Sequence, residues 1–506
     1  MLQNLVVKTL LICFSGFLLS LSAPGYDLWF IAWFGLIPLF IIINTSKKLY
    51  EILLYPFLFG FCYNFNYLHW FLSIHSIRLI GIEYFDSIQI PLLLLLILVI
   101  YYSLFFSIFA LVTTCLRKLL SKFLNNGILN SLITAFIWLI VFNRFSAKEP
   151  ILGGFPWTLV EYSQYKNLFL IQIAEYFGSM SISFLIVLFN LTLANMLTYL
   201  FNNDKDPKQF KIISLNLSFV LILILSSLVY GAYAFKNNQE IISDDSKEIC
   251  ILQGNLPKRP SRKRYTVGIE EAKKVFIQLG AKYNPSLFIL PEGGLPVVYT
   301  HDLVTQNWVH AGAKLKQADI IAGTFCASGD RSTNCVLSYS LKTNQSTFYE
   351  KVKLVPVSER IPLRSILNSV FKKLGKNIYL REGFSIGKQN TPVITSFGKV
   401  GISICFELIF PDLIKNQSVQ GAKLLINASS LKRFKNNLVK KQYLSFAVFR
   451  AIENRKPFIL AVNNGISAFI APNGKIQAQS LPEKRQALLH KVVPNDKVTF
   501  YAKYWW

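Results

Sequence analysis

The chain has 506 residues, 52% of them hydrophobic, and carries 53 Lys and Arg against 27 Asp and Glu, a formal net charge of +26. Its mean hydropathy of +0.40 excludes an ordinary soluble protein, and several apolar runs near ~20 residues match the thickness of a bilayer core. The basic excess carries no helix-turn-helix, zinc-finger or RNA-binding pattern, so a nucleic-acid partner is set aside.

Seven apolar runs are read as membrane spans, over 5–23, 28–44, 51–72, 91–113, 128–143, 169–200 and 212–235. They make residues 1–235 a transmembrane helical domain. The third run is interrupted by Asn64, Asn66 and His69. The first has a small-residue end at Ser20-Leu21-Ser22, as a signal peptide would, but a second run within five residues argues for a retained segment. Lys47, Lys48, Arg117, Lys118, Lys122, Lys205, Lys208 and Lys211 fall in loops on one side. Arg78, Arg144, Lys148 and Lys166 fall on the other. The positive-inside rule then places the N-terminus in the cytoplasm and everything beyond the seventh span outside it. One outside loop reads GGFPWTLVEYSQ (153–164), whose Trp157 and Tyr162 suit a membrane interface.

Beyond residue 235 the apolar runs stop. Residues 1–235 hold 13 basic and 9 acidic side chains, and residues 236–506 hold 40 and 18, so nearly all the excess charge lies in the second half. A basic domain tethered to a membrane favours anionic lipid, although a lysine-rich composition with no specific partner reads the same way. Short β runs are expected at 286–290, 318–323, 399–404, 423–427 and 457–462. Runs at 336–340 and 346–350 flank a Lys-Thr-Asn turn and read as a hairpin. Helical patterns lie near 266–281, 302–316 and 440–453. This alternation predicts an α/β domain of about 260 residues. No CxxC or Cys/His cluster suggests a metal. The nine-residue spacing of Cys326 and Cys335 permits a disulfide, but both sit in strand-like runs and are read as core residues.

Three polar residues stand at strand ends in this reading. Glu292 follows SLFILP, Lys351 ends the second hairpin strand, and Cys405 ends VGISI just before FELIF, which reads as a helix start. A cysteine at such a turn is exposed at a sheet edge, where a helix N-terminus stabilises thiolate. A carboxylate can take its proton and a lysine can stabilise an oxyanion. Taken singly, each is more often a core cysteine or a solvated strand end.

The order of the surrounding motifs resembles the nitrilase superfamily. LPEGGLP (290–296) is similar to its glutamate motif, YEKVKLVPVSER (349–360) to its lysine motif, and ISICFELIFP (402–411) to its nucleophile motif. RAIENRKP (450–457) and NNGISAFIAPNGKI (463–476) resemble its closing helix and strand pair. GFPWTLVEYSQ (154–164), QGNLP (253–257) and the apolar first half resemble one branch, the apolipoprotein N-acyltransferases. The resemblance implies an α+β membrane protein, a helix bundle followed over 236–498 by an α-β-β-α sandwich, with an aromatic tail at 499–506. It implies an enzyme of the bacterial inner membrane with its catalytic domain in the periplasm. Cys405 would take an acyl chain from phospholipid as a thioester, and the amine of a diacylglyceryl-cysteine apolipoprotein would resolve it. Glu292 would be the general base and Lys351 the oxyanion partner, with Glu359 and Glu407 in support and no cofactor or metal. A membrane-anchored amidase and a non-catalytic lipoprotein-binding relative are the alternatives. The sequence departs from the family at Phe406, where Tyr is usual, at 258–265, which lacks a Trp, and at NASSLKRF (427–434). The family closes with an eighth membrane helix, and this sequence ends at 501–506, where it would begin.

Overall fold

The structure is a computed structural model that describes residues 5–74, 89–119, 127–148, 154–202, 206–240, 243, 245–256, 265–361, 364–373 and 383–504. Arg78, Lys122 and Lys205 of the charge bias, Gly153, the stretch 258–264, and Trp505 and Trp506 lie outside the described residues. The chain divides into two compact units, Met1–His75 with Asp86–Ala234, and a second made chiefly of Phe235–Trp506.

In the first unit, Pro91–Leu119, Gly127–Lys148, Met180–Leu200 and Pro207–Asn237 are long and apolar enough to cross a membrane. Leu5–Ser20 and Trp29–Thr45 are apolar but shorter. Leu49–Leu68 packs against Leu5–Ser20 and Gln89–Leu119. Two expected spans are not single helices. The run at 28–44 breaks into a 3₁₀ turn, Trp29–Trp33, and a helix, Ile37–Thr45. Pro38 stands in the first turn of that helix, the one place where its missing N–H costs nothing. In the run at 169–200, Gly178 at φ 69° ends the short helix Ala174–Phe177, and only Met180–Leu200 continues as one helix. Trp157 and Tyr162 do not stand out at a surface. Both are buried within this unit, with Trp157 stacked on Phe155 and tilted against Trp70.

The second unit holds two six-stranded sheets. The first contains β1 (Lys247–Gln253), β2 (Leu287–Leu290), β3 (Asp319–Ser328), β4 (Arg331–Ser340), β5 (Gln345–Glu350) and β12 (Gln486–Val492), in the order β12-β1-β2-β3-β4-β5. The second contains β6 (Val393–Thr395), β7 (Gly398–Ile404), β8 (Leu424–Ser429), β9 (Phe458–Val462), β10 (Ala468–Ile470) and β11 (Ile476–Gln479), ordered β11-β10-β9-β8-β7-β6. Each sheet has a parallel centre, β1-β2-β3 and β7-β8-β9, with antiparallel strands at its edges.

Strand periodicity explains the layering. Ile249, Ile251, Leu287 and Ile289 point one way and pack with Val400, Ile402, Ile404, Leu424 and Ile426 of the opposite sheet. Their neighbours Cys250, Leu252, Phe288 and Leu290 point the other way, onto Phe276, Val309 and Ala313 of the helices Tyr265–Gly280 and Leu303–Lys316. Pro411–Val419 and Asn437–Asn454 pack on the second sheet. The result is the expected α-β-β-α sandwich.

Cys326 and Cys335 are not separate core residues. A disulfide joins them across the β3–β4 hairpin, with Cα atoms 6.0 Å apart. The register pairs Thr324 with Cys335 and Cys326 with Thr333, so the two sulfurs share one face on adjacent diagonal positions.

Candidate active site

Three strand ends converge at one rim of the sandwich. Pro291-Glu292 turns off the end of β2 and crosses β3 at Gly323. A Cβ there would lie 2.5 Å from the Glu292 Cα, so only glycine lets the turn lie this close. Lys351 follows β5 and is buried. Cys405 follows β7 at φ 50°, a left-handed conformation that costs a non-glycine residue about 1–3 kcal/mol and presents its sulfur on a sharp turn.

The Lys351 Nζ lies 2.9 Å from one oxygen of Glu359 and 3.9 Å from Oε1 of Glu292. Burial alone would lower its pKa, but Glu359, Glu292 and Cys405 together reverse this and hold it above the usual lysine value. The residue is therefore a fixed cation. Glu359 also accepts from the Val355 N–H at 2.9 Å, which closes the loop between Lys351 and Glu359 around its own carboxylate.

The Cys405 Sγ lies 3.5 Å from the Tyr443 hydroxyl on Asn437–Asn454. Burial pushes its thiol up to about 12, with the Glu292 carboxylate adding to the rise and Lys351 and Tyr443 opposing it. The expected thiolate stabilised by a helix start is not what the fold provides. The segment Cys405–Ile409 is a five-residue 3₁₀ turn, and the longer helix begins only at Pro411. So short a turn has little dipole to offset burial beside a carboxylate.

Glu407 makes its own set of hydrogen bonds beside this cluster. Its Oε1 accepts from the backbone N–H groups of Val352 at 2.7 Å and Lys353 at 2.9 Å. Its Oε2 accepts from the Ile404 N–H at 2.8 Å and the Tyr349 hydroxyl at 2.9 Å. All four donors lie beside Lys351 or Cys405, so Glu407 ties the lysine strand to the cysteine strand. Burial pushes it up to about 7, with Lys351 and three backbone N–H groups opposing the rise.

Two residues at the site were not read from the sequence, Tyr443 and Asn334. Asn334 is buried on β4 and donates from one nitrogen to Glu292 and to Glu359, at 2.7 and 3.1 Å. The sequence carried no signal for it, because Asn334 shares its row on β4 with Val336 but also with Ser338 and Ser340, so a polar residue there breaks no period. The remaining motif residues make defined contacts. The Gln253 side chain of QGNLP donates to the Leu481 and Lys484 carbonyls and accepts from Ser467 and Ser480. Phe406, where a tyrosine was expected, packs edge-on against Phe410. In NASSLKRF, Asn427 donates to the Cys405 carbonyl at 3.3 Å and Arg433 donates to Ser358 at 2.8 Å. Among the described residues no group of His, Cys, Asp and Glu could hold a metal ion.

Residues 15–192 match the family model described as the apolipoprotein N-acyltransferase N-terminal domain, and residues 270–501 match that of the carbon-nitrogen hydrolases. The apolipoprotein N-acyltransferase of Geobacter metallireducens is 30% identical over 363 residues, covering 70% of this chain and 67% of its own. This chain belongs to the apolipoprotein N-acyltransferase family. A relative of that name from Wigglesworthia glossinidia brevipalpis is 27% identical over 510 residues, covering 99% of this chain and 94% of its own. One from Nostoc sp. is 25% identical over 469 residues, covering 90% and 88%. Among solved structures, a carbon-nitrogen hydrolase from Helicobacter pylori G27 covers 49% of this chain and 89% of its own, at 20% identity and a TM-score of 0.37. An amidase from Nesterenkonia sp. covers 52% and 95%, at 15% identity and a TM-score of 0.38. Membership in the apolipoprotein N-acyltransferase family sets aside the amidase and the non-catalytic lipoprotein-binding alternatives for the chain.

Proposed function

We propose that this acyltransferase modifies the amino-terminal diacylglyceryl-cysteine of apolipoproteins, with a phospholipid as acyl donor and Cys405 as the acyl carrier. The observation that supports this reading is the buried cation Lys351 held between Glu292 and Glu359, on the same rim as the cysteine turn. In the first half-reaction the Cys405 sulfur attacks the ester carbonyl carbon. Glu292 takes the thiol proton as the C–S bond forms and returns it to the departing lysophospholipid oxygen as the C–O bond breaks. Lys351 offsets the negative charge on the carbonyl oxygen in between. In the second, the lipoprotein amine attacks the thioester, the C–N bond forms and the C–S bond breaks. Glu292 moves the amine proton back to sulfur. Glu359 fixes Lys351, and Glu407 fixes the two strand ends. A thioester acylates an amine readily and survives where water is kept out.

The reaction belongs to the bacterial inner membrane, with the second unit on the periplasmic side, where lipoprotein amines are presented. The excess of Lys and Arg in alternate loops supports that orientation. The experiment is mass spectrometry of the purified protein after incubation with phospholipid. An acyl-sized, hydroxylamine-sensitive adduct on Cys405, absent from Cys405→Ser, is expected. An adduct retained in Cys405→Ser and lost in Cys326→Ser or Cys335→Ser would overturn the choice of nucleophile.

A further inference from the structure

An amide nitrogen has two hydrogens, and at Asn334 both are used. One goes to Oε1 of Glu292 at 2.7 Å and the other to Oε1 of Glu359 at 3.1 Å. The opposite orientation of the amide would turn its carbonyl against two carboxylates, so the orientation is fixed by charge. It has a cost, since Oδ1 of Asn334 is buried without a hydrogen-bond partner. Such an orphan costs about 1–3 kcal/mol, and the fold accepts it to keep the nitrogen aimed at both acids. Backbone and covalent links hold the strand at the same level. The Asn334 carbonyl accepts from the Lys351 N–H at 2.9 Å, and its chain neighbour Cys335 is tied to β3 by the disulfide. On Glu292, both close partners, Asn334 and Lys351, engage Oε1. Oε2 is left over.

We infer that Asn334 is a positioning residue for acyl transfer. By donating to both carboxylates it holds them apart around Lys351 and leaves Oε2 of Glu292 as the oxygen that takes the Cys405 proton. This inference rests on the proton-transfer role of Glu292 and the nucleophilic role of Cys405 proposed above. It assigns Asn334 no contact with the substrate.

Two substitutions separate donation from packing. Asn334→Asp keeps the shape and replaces both donated hydrogens with a third carboxylate. Asn334→Ala removes the donor without adding charge. Single-turnover formation of the Cys405 acyl adduct at saturating phospholipid is the readout, with melting temperature as the control for folding. Asn334→Ala should slow acylation about 100-fold, the scale of a misplaced catalytic group, with the lipid concentration for half-saturation unchanged. Asn334→Asp should be slower again, by about tenfold or more, because like charges are then packed at hydrogen-bonding distance. Asn334→Gln, whose longer side chain retains the donor, should recover part of the rate. If Asn334→Asp reacts faster than Asn334→Ala, the residue acts by packing alone and the inference fails. It also fails if Asn334→Ala acylates at the wild-type rate. Should Asn334→Asp not fold, the Ala and Gln variants decide it, and equal rates in those two would overturn it. Cys405→Ser runs alongside. An adduct in that variant sinks the parent reading and this one with it, whereas its absence beside a fully active Asn334→Ala sinks this inference alone.

Discussion

With its thiol pushed up to about 12, Cys405 is almost wholly protonated at neutral pH. Sulfur then attacks only as a base removes the proton, and Glu292 and Lys351 fail in different ways when they are replaced. Glu292→Gln keeps shape but removes the base, and it removes one of the charges that raise the thiol. Its residual acylation should climb about tenfold per pH unit between roughly pH 7 and 9, since the thiolate fraction grows in that proportion below the thiol pKa. Lys351→Met loses the cation that pulls the thiol down and that offsets the oxyanion. Its rate should fall by about 10²–10³, and raising the pH should not restore the difference from wild type. Single-turnover adduct formation across that pH range checks both. If pH rescues Lys351→Met and leaves Glu292→Gln inactive, the two roles have been exchanged. At this scale the sequence exposed the acid and the cysteine because each ends an apolar run, and the lysine because it ends a hairpin strand, all three within a motif. Tyr443 gave no such sign, since it lies inside a helix whose residues are almost all buried.

The strands carry those side chains, and Glu407 joins two of them by accepting four hydrogen bonds. Glu407→Gln should leave the shape intact but cannot accept all four. The new NH₂ group would turn toward the Tyr349 hydroxyl, which can accept instead, and the Ile404 N–H beside Cys405 would lose its partner. One buried unpaired donor costs about 1–3 kcal/mol, so a lower melting temperature is expected together with slower acylation. Normal stability and normal rate would show that the clamp is dispensable. The disulfide is expected to behave differently. Its short loop limits the stabilisation to about 2–3 kcal/mol, and Cys326→Ser should melt earlier yet still form the Cys405 adduct. Most of these strands were legible. The expected runs at 286–290, 318–323, 399–404, 423–427 and 457–462 fall within or beside β2, β3, β7, β8 and β9, because buried parallel strands read as short continuous apolar segments, and those at 336–340 and 346–350 flank the turn of the antiparallel β4–β5 hairpin. Strands β1 and β12, and the edge strands β6 and β11 of the second sheet, were not read. Three residues at β6 are too few to show a period, and β11 is half-exposed and reads Ile-Gln-Ala-Gln with no buried face. The disulfide was passed over because spacing alone does not reveal that residues 326 and 335 lie across one hairpin.

For the whole molecule, the sidedness of the second unit depends on how many helices cross the bilayer, and the first helices are the hardest to count. Trp29–Thr45 is short and broken. The prediction does not need them. Between residue 120 and residue 245 lie Gly127–Lys148, Met180–Leu200 and Pro207–Asn237, each long and apolar enough to span. An odd number of crossings puts those two points on opposite faces, whatever the chain does before residue 91. Arg117 and Lys118 close the helix before the first point, and Lys208 and Lys211 flank the last crossing on the same face. The positive-inside rule therefore assigns residue 120 to the cytoplasm and residue 245 to the periplasm. An enzyme reporter that folds only outside the cytoplasm should be active when fused after residue 245 and silent when fused at residue 120. A reporter that works only inside should give the opposite pattern. If both fusions report the same face, one of the three helices does not cross. If the faces are reversed, the rim bearing Cys405 would be closed to periplasmic lipoproteins, and the proposed substrate would be wrong even with the chemistry of the site intact.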